Sequence, residues 1–180
     1  MDRARQAMGE MLVYLFAVFL ITGGVLAFSY VPSGETVAYT GSYEPLRGVR
    51  TSAAYHSILD ISFDVRGGLL ARQLHHRCAI LLGLGIVVWA LLGRFRYALP
   101  VLGLAAVAAL GGYGSADDLL SGTFLARVPI PVWYGLHLLA ALAVGAVLVI
   151  SSRREAARQP RTAGFVAVTL GLTVMLVVLL

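Results

Sequence analysis

The sequence predicts an all-α membrane protein, a transmembrane four-helix bundle followed by a fifth, C-terminal transmembrane helix. Three observations carry that expectation. The 180 residues are 59% hydrophobic and only 13% charged, far too apolar for a soluble domain of this size. Five apolar segments approach the length of about 20 residues that a hydrocarbon core requires of a helix. The basic residues, all arginine, sit mostly in short stretches beside those segments. That distribution serves orientation and gives no soluble basic face for a nucleic-acid partner.

The five spans fall near 8–30, 70–93, 97–114, 130–152 and 163–180. Arg3 and Arg5 before the first span imitate a secretory signal, but the apolar run from Met11 to Phe28 is longer than a usual signal core, so it reads as a retained span. Arginines at 3 and 5, at 94 and 96, and at 153, 154, 158 and 161 occupy the N-terminal tail and alternate loops. The positive-inside rule puts those on the cytoplasmic side and the C-terminus outside. Residues 94–96 form a tight connection that makes spans two and three antiparallel neighbours. The 31–69 connection is long and extracytoplasmic, yet its Tyr39, Tyr43, Tyr55, Ile58, Ile61 and Phe63 give it an apolar face, which predicts ordered structure with a short surface helix. Residues 115–129 form a second outward loop. Residues 1–153 therefore read as the bundle with its long outer loop, and 154–180 as a cytoplasmic linker and an additional span. The single cysteine, Cys78, has no internal disulfide partner and reads as a small core residue.

His75 and His137 lie inside spans two and four, where an ionisable side chain costs enough free energy to be a functional candidate by default. Two imidazoles facing a bundle axis at similar depth bind one haem iron from opposite sides; the alternative is helix-packing hydrogen bonds. Arg72, three residues before His75, shares its helix face and suits a haem propionate. Gly23 on span one and Gly112 on span three would let a flat macrocycle approach the backbone. Fourteen residues after His75 stands Trp89, and fourteen and fifteen after His137 stand Ser151 and Ser152, where a two-haem bundle would carry its second ligands. Trp89 reads either as an interfacial aromatic or as a cavity filler. His76 points about 100° away from His75 and reads as a packing residue. Gly9, Gly103 and Gly111 suit close helix packing.

Three stretches resemble the N-terminal, haem-carrying four-helix half of bacterial cytochrome b from respiratory cytochrome bc complexes: Gly9 to Gly23, "GSYEPLRGVRTSAAYHSILDISFDVRGGLLARQLHH", and "GGYGSADDLLSGT". The resemblance covers roughly residues 9 to 152. It implies one bis-histidine haem b near the outer face, with His75 and His137 as axial ligands, Arg72 at a propionate, and Gly23 and Gly112 in contact with the ring. The family's inner haem takes a second histidine fourteen residues along spans two and four, and glycines fourteen residues before the outer ones. Those places hold Trp89, Ser151 or Ser152, Ala98 and Gly9, so only one glycine survives. Neither serine suits a haem b iron, and an indole fills space that a porphyrin needs. A rise of about 1.5 Å per residue separates the two levels by about 21 Å, so losing the inner haem removes an electron route across the membrane.

The resemblance thus implies a mono-haem membrane electron-transfer subunit of a bacterial plasma-membrane complex, non-catalytic or partly catalytic. It would anchor other integral membrane subunits and pass electrons between quinone and an extracytoplasmic iron–sulfur protein, cytochrome c or dehydrogenase. The C-terminal half of the family and its Pro-Glu-Trp-Tyr motif are missing here, so a complete quinol-oxidation site within the chain is not expected. Asp117 and Asp118 read as a solvated loop pair or helix cap, with a quinone or partner contact as the alternative. Two rival readings are a haem-free structural or assembly subunit and one half of a split quinol oxidoreductase.

Overall fold

The computed structural model describes residues 2–120 and 122–179, with the backbone alone for Arg94 and Phe95. Ser121 in the second outward loop, Leu180 at the end of the fifth span, and the side chain of Arg94 thus lie outside the described residues. Among the described residues six α-helices follow one another: α1 (Asp2–Ala27), α2 (Ala53–Phe63), α3 (Gly68–Trp89), α4 (Phe95–Ala116), α5 (Ile130–Arg158) and α6 (Ala163–Leu179). Two short strands, β1 (Thr36–Ala38) and β2 (Arg50–Ser52), lie between α1 and α2.

Among the described residues four helices are long and apolar enough to cross a membrane, Asp2–Ala27, Gly68–Gly93, Arg96–Ala116 and Ile130–Arg158; Ala163–Leu179 is a shorter apolar helix. The helices outrun their apolar segments. α1 starts six residues before the expected span and α5 continues six residues beyond it, because Gln6 and Glu155 find polar partners that hold these turns helical. The chain divides into two compact units. One comprises Met1–Leu20, Leu74–Ala106 and Ala141–Leu180, the other Ile21–Gln73 and Val107–Ala140.

The first unit has the larger apolar core. Leu12, Leu15 and Phe16 of α1 meet Leu82, Ile86 and Trp89 of α3, Ala98 and Val101 of α4, and Val144 and Leu148 of α5. The turn from α3 into α4 is closed by Gly93 at φ 94°, a left-handed conformation that a glycine adopts without a Cβ penalty. α6 joins this unit: Val177 packs on the core, while the buried Thr169 and Thr173 return their hydroxyls to their own helix, at Phe165 O and Thr169 O. The α5–α6 linker is tied to the first turns of α1. Gln6 Nε2 donates to Gln159 O at 2.7 Å, Arg5 pairs with Glu155 at 2.9 Å, and Arg3 lies 5.5 Å over the Phe165 ring.

The second unit holds the ordered connection between α1 and α3. β1 and β2 pair antiparallel, with Val37 opposite Thr51. Ser52 then caps α2, its Oγ accepting from the Tyr55 N–H at 3.1 Å. Tyr39 is fully buried, its ring edge-on to His56, whose Nε2 lies 3.4 Å from Asp60. His56 is therefore a structural residue of this small domain. Burial raises the Asp60 carboxyl above its ordinary value, against the opposing pull of His56. At the other side of the unit, Gly111 and Gly114 bring α4 against Trp133 of α5.

Candidate haem site

α3 carries His75 half-buried. Its Nδ1 lies 3.1 Å from the carbonyl oxygen of Phe19 on α1, and the Phe19 ring stacks on the imidazole with centroids 4.0 Å apart and planes 17° from parallel. α5 carries His137, also half-buried, with Nδ1 at 2.7 Å from the carbonyl oxygen of Ala108 on α4. A carbonyl can only accept, so each contact places the proton on Nδ1. The lone pair of the neutral ring is then on Nε2, the arrangement that a metal-binding imidazole adopts when a backbone carbonyl fixes its tautomer. The residues therefore fit an axial ligand at each position. Among the described residues no group of three or more His, Cys, Asp or Glu could hold a metal ion. A haem asks the protein for only two axial ligands.

The two accepting carbonyls stand four residues before the two glycines that the sequence singles out. Phe19 precedes Gly23 on α1, and Ala108 precedes Gly112 on α4. Gly112 is accordingly a neighbour of the imidazole itself: a Cβ there would meet His137 Nδ1 at 3.2 Å and Cε1 at 3.4 Å. At Gly111 a Cβ would come within 2.8 Å of the His137 backbone nitrogen and 2.9 Å of the Trp133 carbonyl. Sequence reasoning saw room for a macrocycle at Gly112 and only helix packing at Gly111. In the structure the pair gives α4 and α5 the close approach that brings the Ala108 carbonyl to His137. Gly23 is half-buried on α1.

Arg72 is exposed on α3, and its Nη1 donates to Ser62 Oγ of α2 at 3.0 Å. Ser62 in turn donates to Ile58 O at 2.7 Å, so the guanidinium is oriented from α2. Asp117 is half-buried at φ 50° and ends α4, while Asp118 is exposed. Burial and then the charge of Asp118 push the Tyr55 hydroxyl above its ordinary value. Beside Asp117, the Tyr30 hydroxyl donates to Ser115 O at 2.6 Å and its ring centroid lies 5.0 Å from that of Tyr134. Burial is the main cause that pushes Tyr30 up to about 12.

The second set of positions is closed. Trp89 is 1% exposed and its indole packs on Gly9, where a Cβ would lie 3.5 Å from Nε1. Ala98 is fully buried in the same core. Ser151 and Ser152 are both buried but do different things, since consecutive residues project about 100° apart. Among the described residues Ser151 Oγ, like Trp89 Nε1, has no hydrogen-bond partner, whereas Ser152 Oγ donates to Glu10 Oε1 at 2.8 Å. Arg161 completes this cluster, Nε and Nη2 reaching Glu10 Oε1 at 2.9 and 2.7 Å. The roles of Phe19, Ala108, Glu10 and Arg161 escaped the sequence reading. Phe19 and Ala108 act through backbone carbonyls, which carry no residue signature; Glu10, a carboxylate in an apolar span, was the signal available for its cluster.

No family model matches the chain. It is 45% identical over 127 residues to the cytochrome bc1 complex cytochrome b subunit of Mycobacterium tuberculosis H37Rv, an alignment covering 64% of this chain and 23% of that protein. The subunit of the same name from Streptomyces coelicolor is 43% identical over 130 residues, covering 64% and 24%. That from Corynebacterium efficiens is 36% identical over 156 residues, covering 79% and 26%. The chain, with four helices among the described residues able to cross a membrane, is thus similar to part of bacterial cytochrome bc1 complex cytochrome b subunits and spans about a quarter of their length.

Proposed function

We propose that this chain is a mono-haem b electron-transfer subunit of a bacterial membrane redox complex, with His75 and His137 as the axial ligands. The observation that carries this reading is the pair of Nδ1-to-carbonyl contacts, which give both histidines the same ligand-ready tautomer. The homology to cytochrome b subunits supports the same cofactor. When bound, the haem would accept and release one electron at a time. The protein's own work is to hold the two imidazoles against rotation, through Phe19 and Ala108, and to exclude water around them with apolar helix faces. Arg72 would meet a propionate by exchanging its contact with Ser62.

A single haem is supported by the packed core at Trp89 and Ala98 and by the residues at the second level, an indole and serines where histidine ligands would stand. The haem would sit near the outer face, with the N-terminus cytoplasmic and the C-terminus outside, and exchange electrons between quinone and an extracytoplasmic iron–sulfur protein, cytochrome c or dehydrogenase. Other integral membrane subunits would complete the complex. The test is a pyridine-haemochrome assay on the purified chain and on His75→Ala and His137→Ala. About one haem b per chain, lost in both variants, is expected. Two haems per chain would overturn the mono-haem reading, and none in the partner-bound protein would leave a structural subunit on a cytochrome fold.

A further inference from the structure

The first unit contains a groove of about 310 Å³, at the small end of ligand pockets, which run from roughly 300 to 1,000 Å³. Glu10 and Tyr14 of α1, Ser152 and Arg153 of α5, and Arg161 of the linker supply its polar wall; Val13 and Val149 supply the apolar one. It lies where the apolar run of α5 ends at Ile150 and gives way to Ser151, Ser152, Arg153 and Arg154, hence at the edge of the hydrocarbon layer.

The charges within it do not cancel. The side chain of Glu10 is 4% exposed and its carboxylate is committed to Arg161 and Ser152. Glu10 and Arg161 neutralise each other, so Arg153, exposed on the rim, leaves the groove one net positive charge. We propose that the groove binds the phosphodiester headgroup of an anionic phospholipid, with the phosphate against Arg153 and Arg161, the Tyr14 hydroxyl as a further donor, and the acyl root along Val13 and Val149. A phosphodiester carries the single negative charge that balances the lining, and arginine forks match phosphate oxygens. A zwitterionic headgroup brings a cation as well, and the one carboxylate in the wall is already engaged. The polar-to-apolar gradient across the groove suits a lipid better than free phosphate, which has no apolar part to bury.

The test is native mass spectrometry of the full chain released from micelles holding equal phosphatidylglycerol and phosphatidylcholine. The expected result is preferential retention of phosphatidylglycerol. Arg153→Gln, at an exposed position outside the Glu10 cluster, should lower that occupancy about fivefold, the scale of one arginine at a membrane surface. Arg158→Gln, exposed and outside the groove, should leave it unchanged. Narrowing the groove with Val149→Phe, at an exposed position that folding tolerates, should lower it as well. Equal retention of the two lipids, or equal loss in the Arg153 and Arg158 variants, would overturn the proposal. Displacement of the lipid by millimolar inorganic phosphate would overturn its lipid source.

Discussion

Fourteen residues apart on α3, His75 and Trp89 meet α1 in opposite ways. His75 keeps a polar atom engaged, its Nδ1 on the Phe19 carbonyl and its ring stacked on the Phe19 side chain. Trp89 is wholly buried on Gly9, with its only polar atom unpartnered. One level is held by directional polar contacts; the other is filled by volume. An unpartnered buried N–H costs free energy, so the indole holds its place through packing alone. The same division recurs on α5. His137 is tied to the Ala108 carbonyl, while Ser151 sits in the core with its hydroxyl unanswered. Polar bonding at that level has moved one residue on, to Ser152 and the Glu10–Arg161 pair, where the linker to α6 is fastened.

The largest effects should come from deleting one side chain at each level. Trp89→Ala removes a fully buried indole and should cost about 3–5 kcal/mol of stability, the range of such truncations in packed cores, while leaving the haem content of the folded protein at that of the parent. His75→Ala should do the reverse, abolishing haem with a smaller loss of stability, since the imidazole is only half-buried. Unfolding in sodium dodecyl sulfate followed by far-ultraviolet circular dichroism, with haem quantified on the same samples, separates the two. Loss of haem from folded Trp89→Ala protein would break the comparison, because the core at Trp89 would then be part of the cofactor site.

How much of this could be read from the sequence divides along physical lines. Four of the spans and the ordered 31–69 connection were legible because hydrophobic length and turn chemistry are local signals, and His75 and His137 stood out as ionisable residues within apolar segments. Helix ends were not: α1 and α5 run on through Gln6 and Glu155, whose partners lie about 150 residues away in sequence. The choice between Ser151 and Ser152 needed the rotation of α5, which no spacing argument fixes to within one residue. The meaning of the glycines also shifted. Gly112 was legible as a place of close approach, but what approaches is the imidazole it adjoins, and Gly111, read as mere packing, makes the tighter contact.

Those two glycines give an intermediate test of the histidine level. A Cβ at Gly111 meets two backbone atoms of α5 within 3 Å, and backbone cannot move aside without separating the helices. Gly111→Ala should therefore cost about 1–3 kcal/mol, as overpacking does, and weaken haem retention by lengthening the Ala108–His137 contact. A Cβ at Gly112 meets the imidazole, at 3.2 and 3.4 Å, which a small rotation relieves. Gly112→Ala should keep the fold and most of the haem. Thermal unfolding and haem-to-protein ratio read both effects; a more severe defect at Gly112 than at Gly111 would mean that the ring contact, not the helix approach, governs the site.

The smallest effect should come from Phe19→Leu. Leucine keeps the backbone carbonyl that accepts from His75, so the tautomer and the haem content should be retained. What it removes is the ring stacked at 17° and 4.0 Å, which restrains rotation of the imidazole about its Cβ–Cγ bond. An aromatic pair contributes roughly 0.5–1.5 kcal/mol, and if part of that differs between the two charge states of the site, the midpoint potential should move by a few tens of millivolts. Low-temperature electron paramagnetic resonance should show a broader low-spin signal as the ligand plane is released. An unchanged potential and line shape, with haem still present, would mean that the carbonyl alone orients His75 and that the stacked ring serves only packing.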